Sequence, residues 1–103
     1  MKAYTIYLGL TTQAGVDRSD EPESRIIREV NHTLKGFRVP GATILRGTGV
    51  WRGQVEACLV IYLCTEEHLD IEDLCGALAH DFEQREVAYH ESPTLAFVSN
   101  PTT

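Results

Sequence analysis

The residues best suited to chemistry lie in one short stretch that is rich in glycine and arginine. Three glycines fall within seven residues, and two arginines, a threonine and a tryptophan lie among them. Glycine inside a strand costs stability, so it tends to be kept where a ligand or another backbone comes close. Backbone N–H groups beside guanidinium groups can hold a phosphate or carboxylate, and an indole can stack on a base. The stretch therefore predicts a small-ligand site formed by Arg46, Gly47, Thr48, Gly49, Trp51, Arg52 and Gly53. The alternative from residue types alone is a bulged hairpin with solvated arginines.

The remaining polar residues do not form a convincing catalytic set. His90 precedes Glu91 and could form an acid–base pair, but adjacent strand residues point to opposite faces. Cys64 and His68 have a metal-ligand spacing, yet they span a predicted strand-to-helix junction and no second motif completes a site. We predict no catalytic residues, no metal site and no cofactor.

Length and composition indicate a single domain covering residues 1–103. The chain has 103 residues, of which 43% are hydrophobic and 23% charged, as in ordinary globular proteins. Its longest apolar run, Ala57 to Leu63, is far shorter than the roughly 20 residues that span a membrane. We read no signal peptide at the start, and we expect a soluble cytoplasmic protein with reduced cysteines and no membrane partner. The formal charge of −6 argues against nucleic acid as a partner.

Hydrophobic periodicity predicts four strands and two helices in the order βαββαβ. The first helix is expected to begin with a capping box formed by Asp20 and Glu23, and the second to begin at Asp70. This order is typical of a ferredoxin-like α+β sandwich with a short C-terminal extension. The predicted strands are Ala3–Leu10, Ala42–Trp51 (interrupted by its glycines), Val55–Cys64 and Arg85–His90, with a short extra strand at Leu95–Val98.

Two helices cover only one face of a four-stranded sheet, so the other face should be bare. Alternation places Thr5, Tyr7, Cys58, Val60, Tyr62 and Cys64 on that face. An exposed patch of this kind usually marks an interface, which predicts a homo-oligomer. The alternative is that the C-terminal segment covers the face within one chain.

The segment Gly41-Ala42-Thr43-Ile44-Leu45-Arg46-Gly47 resembles the second strand of the PII-like superfamily. The following Gly49-Val50-Trp51-Arg52-Gly53-x-x-Glu56 is similar to a motif of small uncharacterised bacterial and phage proteins. The PII-like resemblance implies a trimer that binds a nucleotide or other effector between subunits, with Gly47, Thr48 and Gly49 starting the ligand loop. However, the connection between strands two and three is short, and Gln84-Arg85-Glu86-Val87 replaces the expected basic, glycine-rich phosphate loop. Ordinary ATP binding is therefore not expected.

Three functions are compatible with these residues. The first is a trimeric regulatory or sequestering protein that binds a small anionic ligand, such as a nucleotide, without catalysis. The second is a dimeric ferredoxin-like barrel enzyme of oxygenase or isomerase type, with Tyr7, Tyr62, Trp51 and His90 in its pocket. The third is a protein-interaction module in which Trp51 anchors a partner. We favour the first.

Overall fold

The computed structural model describes residues 1–66, 68–92 and 99–101 and shows an α+β sandwich with a ferredoxin-like arrangement. All strand pairs are antiparallel, and the sheet order is β2-β3-β1-β4. The predicted extra strand at Leu95–Val98 lies outside the described residues. The elements are β1 (Lys2–Gly9), α1 (Glu23–Gly36), β2 (Gly41–Trp51), β3 (Gln54–Thr65), α2 (Ile71–Asp81) and β4 (Ala88–Ser92).

The core lies between the sheet and the two helices. Alternate residues of β1 and β3 point toward the helices, because successive strand side chains face opposite sides of a sheet. The helices contribute apolar residues spaced by three or four positions, as the sequence pattern predicts. The fully or largely buried core residues include Tyr4, Ile6, Leu8, Leu59, Ile61, Leu63, Ile26, Val30, Leu34, Leu74, Leu78 and Phe82.

The predicted capping box of α1 is wrong. Pro22 occupies the N-cap position, and no side chain caps the helix. Asp20 therefore lies two residues too early to receive the first free N–H groups. The preceding loop is held instead by Arg18, which bonds the carboxylates of Glu21 and Glu29, each at 2.6 Å.

The start of α2 is confirmed at Asp70. Its carboxylate accepts hydrogen bonds from the backbone N–H groups of Glu72 at 3.0 Å and Asp73 at 3.1 Å. These bonds satisfy two of the donors that every helix leaves free at its N-terminus. Asp70 thus fixes where the helix begins.

The fourth strand begins later than the sequence predicted. It spans Ala88–Ser92 rather than Arg85–His90. After α2 the chain turns at Glu83, which has a positive φ of 51°, and the Gln84 backbone N–H bonds the Ala79 carbonyl at 2.8 Å. The chain leaves this turn as a loop, and residues 85–87, which the sequence pattern assigned to the start of the strand, lie in that loop.

The strands β2 and β3 form a hairpin that extends beyond the rest of the sheet. They pair continuously from Gly41↔Cys64 to Trp51↔Gln54, without the interruption expected at the β2 glycines. In contrast, β1 pairs with β3 only as far as Cys58. We call residues 48–57, which continue past this point, the hairpin arm. Its turn has positive φ at both Arg52 (50°) and Gly53 (78°), which matches the twist of a two-residue hairpin.

Candidate functional site

The sheet surface opposite the helices, which we call the open face, carries the residues that the sequence predicted for it. Residues paired directly across neighbouring strands point to the same side, so the register defines this set. Tyr7, Leu45 and Tyr62 on this surface are 42%, 52% and 47% exposed. The open-face residues of the two central strands are Ala3, Thr5, Tyr7 and Gly9 on β1, and Glu56, Cys58, Val60, Tyr62 and Cys64 on β3.

The structure separates the residues of the predicted hairpin site. On β2, Gly47, Gly49 and Trp51 belong to the open face, whereas Arg46 and Thr48 belong to the helix side of the sheet. Arg52 and Gly53 form the turn at the end of the hairpin arm. An extended strand rises about 3.4 Å per residue, so Arg46 and Arg52 lie about 20 Å apart along the chain. The two arginines do not converge within one protomer, and their ligand-binding role stays a prediction.

Each of these arginines has a local contact in the structure. The Arg46 Nη1 group donates to the Ser19 backbone carbonyl at 3.1 Å. The Ser19 backbone N–H bonds the Asp17 carboxylate and, with the charge of Arg46, lowers the pKa of Asp17. The Arg52 guanidinium lies 5.7 Å from the ring centroid of Trp51. Arg46 therefore holds the loop before α1, and Arg52 stacks at the turn.

Side-chain oxygens converge instead at Gly9, where β1 ends. A Cβ atom at Gly9 would lie 2.6 Å from Oε1 of Gln84, 2.9 Å from Oε1 of Glu56 and 3.1 Å from its Oε2. The Gln84 Nε2 group donates to the carbonyls of Thr11 at 2.8 Å and Phe82 at 3.1 Å. The amide oxygen of Gln84 is thereby oriented toward Glu56. We call Gly9, Glu56 and Gln84 the acceptor cluster.

The acceptor cluster lacks donors of its own. Within residues 1–66, 68–92 and 99–101, no side chain or backbone N–H donates to the Glu56 carboxylate or to Oε1 of Gln84. Both side chains are half-buried. Oxygens that converge without a donor are suited to a ligand that supplies hydrogen-bond donors or positive charge.

Glycines border the acceptor cluster on the open face. A Cβ atom would lie 3.5 Å from the Cys58 sulfur at Gly47 and 3.8 Å from it at Gly49. Gly9 pairs with Cys58 from the other neighbouring strand. The sheet surface on both sides of this thiol therefore consists largely of backbone. Burial and the charge of Glu56 raise the pKa of Cys58, which disfavours the thiolate. The region is therefore suited to contact with a flat ligand rather than to nucleophilic attack.

A tyrosine–histidine pair lies further along the open face, with His90 opposite Thr5. The Tyr7 hydroxyl and Nε2 of His90 are hydrogen-bonded at 3.1 Å, and their ring centroids lie 5.8 Å apart. Tyr7 is two residues from Gly9 and faces the same side. Glu91 belongs to the opposite face of β4, so Tyr7 rather than Glu91 is the partner of His90.

Sequence reasoning missed the acceptor cluster. It named Tyr7 and His90 only among the four pocket residues of the alternative barrel enzyme, and it did not predict that they bond each other. Glu56 stood at the end of a quoted motif without a role, and no local signal connected it with Gln84. No local pattern in the sequence predicted the hydrogen bond between Tyr7 and His90. Only the sheet register and the turn after α2 bring these residues together.

The described residues contain no group of three histidine, cysteine or acidic side chains placed to hold a metal ion. Within the same part of the chain, no helix is long and apolar enough to cross a membrane.

The fold and its open sheet face define a class of small ferredoxin-like α+β proteins. Solved structures with this fold include a phage S-adenosylmethionine (SAM) lyase in complex with S-methyl-5'-thioadenosine. That lyase is 20% identical, the match covers 88% of this chain and 79% of the lyase, and the TM-score is 0.66. Its apo form gives 22% identity over 88% and 78% of the two chains, with a TM-score of 0.63.

A DUF3240 family protein from Shewanella baltica OS155 also has this fold. It is 14% identical over 96% of both chains, with a TM-score of 0.58. No protein-family model and no curated protein matches the chain. The structural matches show the fold, and the PII-like resemblance stays a prediction.

Proposed function

We propose that this protein binds the adenosyl part of SAM or methylthioadenosine on the open face. The observation that carries the proposal is the acceptor cluster, in which three oxygens converge without a donor. A ribose offers two adjacent hydroxyl donors, and an acidic side chain is a common partner for them. Glu56 and Gln84 would accept from the ribose, while the glycines around Cys58 leave room for the flat base.

The charge of the acceptor cluster favours this ligand class over the anionic one expected from the hairpin arginines. The Glu56 carboxylate repels a phosphate but attracts a sulfonium cation such as that of SAM. Aromatic rings near the site, including Tyr7, can add to cation binding. We therefore propose a nucleoside-type ligand without phosphates.

A homo-oligomer is part of this proposal. Exposed apolar side chains on the open face and on the hairpin arm, such as Leu45 and Val55, favour burial against another copy. The PII-like resemblance implies a trimer with ligand clefts between subunits. A cytoplasmic location agrees with three cysteines that form no disulfide.

Cleavage of SAM is the second candidate function. It is favoured by the fold match to a SAM lyase and by a carboxylate at the proposed ligand site. When the bond between the sulfonium sulfur and the aminobutyrate arm breaks, the electron pair stays on sulfur and methylthioadenosine is released. The arm's own carboxylate can bond to the freed carbon and close a lactone, which balances the step. Incubating SAM with the protein and separating the products by chromatography tests this candidate, with appearance of methylthioadenosine as the expected result.

Calorimetry with methylthioadenosine and ATP tests the binding proposal, with native mass spectrometry reporting subunit number. We expect methylthioadenosine to bind, ATP to bind more weakly, and Glu56→Gln to reduce methylthioadenosine affinity at least tenfold. Glu23→Gln, an exposed change on α1, is the matched control and should bind like the wild type. Absence of methylthioadenosine binding, or an unchanged affinity in Glu56→Gln, would overturn the proposal.

A further inference from the structure

The open face carries opposite electrostatic preferences at two positions along β1. The Glu56 carboxylate lies over Gly9, whereas His90 pairs with Thr5, four residues or about 14 Å away in an extended strand. Among the open-face residues of the four strands, only Glu56 has a carboxylate and only His90 has a basic side chain. A carboxylate attracts cations, whereas an imidazole can donate a hydrogen bond to an anion. This pairing fits a ligand with a cationic centre at one end and an anionic group at the other.

We propose that Tyr7 and His90 bind the carboxylate of a SAM-type ligand's amino-acid arm. The inference rests on the proposed function, since the acceptor cluster must first hold the ribose. It extends that function by assigning a second subsite, which distinguishes ligands that keep the arm from ligands that have lost it.

The spacing along β1 agrees with this assignment. Tyr7 lies two residues from Gly9 on the same face, a separation of about 7 Å in an extended strand. The four-carbon arm of SAM spans about 5 Å when extended, from ordinary carbon–carbon bond lengths. The Tyr7 hydroxyl bonds His90, which pairs with Thr5, so it lies on the side of Tyr7 away from Gly9. A ligand whose ribose lies over Gly9 therefore needs its sulfur-linked arm extended along β1 to reach this hydroxyl.

The hydrogen bond between Tyr7 and His90 gives the pair a donor for the carboxylate. When the Tyr7 hydroxyl donates to Nε2, the neutral imidazole carries its proton on Nδ1 and can donate from there. A protonated imidazole donates to Tyr7 instead, and the phenol proton then becomes available. In either state one N–H or O–H of the pair is free for the ligand.

The neighbouring polar residues are less suited to this role. Thr5, which pairs with His90 across the strands, is buried and has its hydroxyl 3.4 Å from that of Ser92. Tyr7 and His90 are both exposed in the single chain. The pair is thus an exposed hydrogen-bond donor on the open face.

Calorimetry with two adenosyl ligands tests the second subsite. S-adenosylhomocysteine keeps the amino-acid arm, and its neutral sulfur makes it a stable probe, whereas methylthioadenosine lacks the arm. We expect Tyr7→Phe and His90→Ala each to weaken S-adenosylhomocysteine binding at least fivefold while changing methylthioadenosine affinity less than twofold. Tyr89→Phe, on the opposite face of β4, is the control and should change neither affinity.

The two proposals fail in different ways in this experiment. If methylthioadenosine binds but both variants weaken the two ligands equally, or weaken neither, the arm subsite is wrong and the ribose site stands. If the wild-type protein binds neither ligand, the proposed function and the inference are both overturned. Thermal unfolding of each variant distinguishes loss of a contact from loss of the fold.

Discussion

The side-chain oxygens of Gln84 and Glu56 meet over Gly9, although the two residues belong to different parts of the fold. Glu56 lies in the hairpin arm, while Gln84 follows α2 and is oriented by its bonds to the carbonyls of Thr11 and Phe82. A side chain at Gly9 would occupy the space where the oxygens converge. The absence of a Cβ there is therefore a requirement of the site and leads to a direct test.

We expect Gly9→Ala to reduce methylthioadenosine affinity at least tenfold while lowering the free energy of unfolding by less than about 1 kcal/mol. The new Cβ meets the ends of two flexible side chains, which can move away at low cost but then no longer converge. Calorimetry and urea unfolding measure the two effects. Gly36→Ala, where a Cβ meets nothing within 4 Å, is the control for binding. Wild-type affinity in Gly9→Ala would contradict this role.

Replacing Arg46 distinguishes the acceptor cluster from the hairpin site predicted by the sequence. Arg46 is exposed and bonds the Ser19 carbonyl, so Arg46→Ala should cost no more than about 1 kcal/mol of stability. We expect methylthioadenosine affinity to stay within twofold of the wild-type value in calorimetry. A fivefold or greater loss would instead support the arginine as a ligand-binding residue.

Arg18 contributes to stability through three contacts. It bonds Glu21 and Glu29, and its guanidinium lies 4.8 Å from the ring centroid of the buried Phe82. We expect Arg18→Ala to lower the free energy of unfolding by about 1–2 kcal/mol, measured by urea denaturation. Arg28→Ala, an exposed change on α1, should have an effect below about 0.5 kcal/mol. Equal effects of the two changes would contradict this role.

The thiol of Cys75 makes the free energy of unfolding depend on pH in the alkaline range. Burial, with a smaller effect of the Glu72 charge, raises the pKa of Cys75 from 9.0 to about 11. The folded state thus favours the neutral thiol, so this contribution is complete below pH 9 and is lost as pH rises to about 11. We expect the stability difference between wild type and Cys75→Ala to shrink by about 1–2 kcal/mol over that interval. Urea unfolding of both proteins at several pH values measures it, and a constant difference would contradict the expectation.

Gly76 offers a way to stabilise the protein without touching the site. It lies within α2, its φ is not positive, and an added Cβ meets nothing within 4 Å. Alanine loses less backbone entropy than glycine in a helix, so Gly76→Ala should raise the free energy of unfolding by about 0.5–1 kcal/mol. Urea denaturation checks this value, and Gly53→Ala, at a φ of 78°, should show the opposite sign. A loss of stability in Gly76→Ala would mean that the helix packs more tightly there than the structure shows.

Local sequence patterns predicted the start of α2 and the turn of the hairpin, because both depend on contacts between residues close together in the chain. Asp70 caps α2 through bonds to the next few N–H groups, and Arg52-Gly53 forms the two-residue turn of the hairpin. The start of α1 and the bounds of β4 were predicted wrongly. They depend on Pro22 at the helix start and on the turn at Glu83, both of which compete with the local pattern.

The sequence by itself determined the order of the strands and helices, the composition of the core and the identity of the bare sheet face. These follow from periodicity, because burial selects apolar residues every second position in a strand and every third or fourth in a helix. Only the tertiary structure decided the candidate site. Gly9, Glu56 and Gln84 come from three separate segments, and Tyr7 meets His90 through strand pairing. Such contacts depend on register and loop geometry, which local spacing along the chain does not encode.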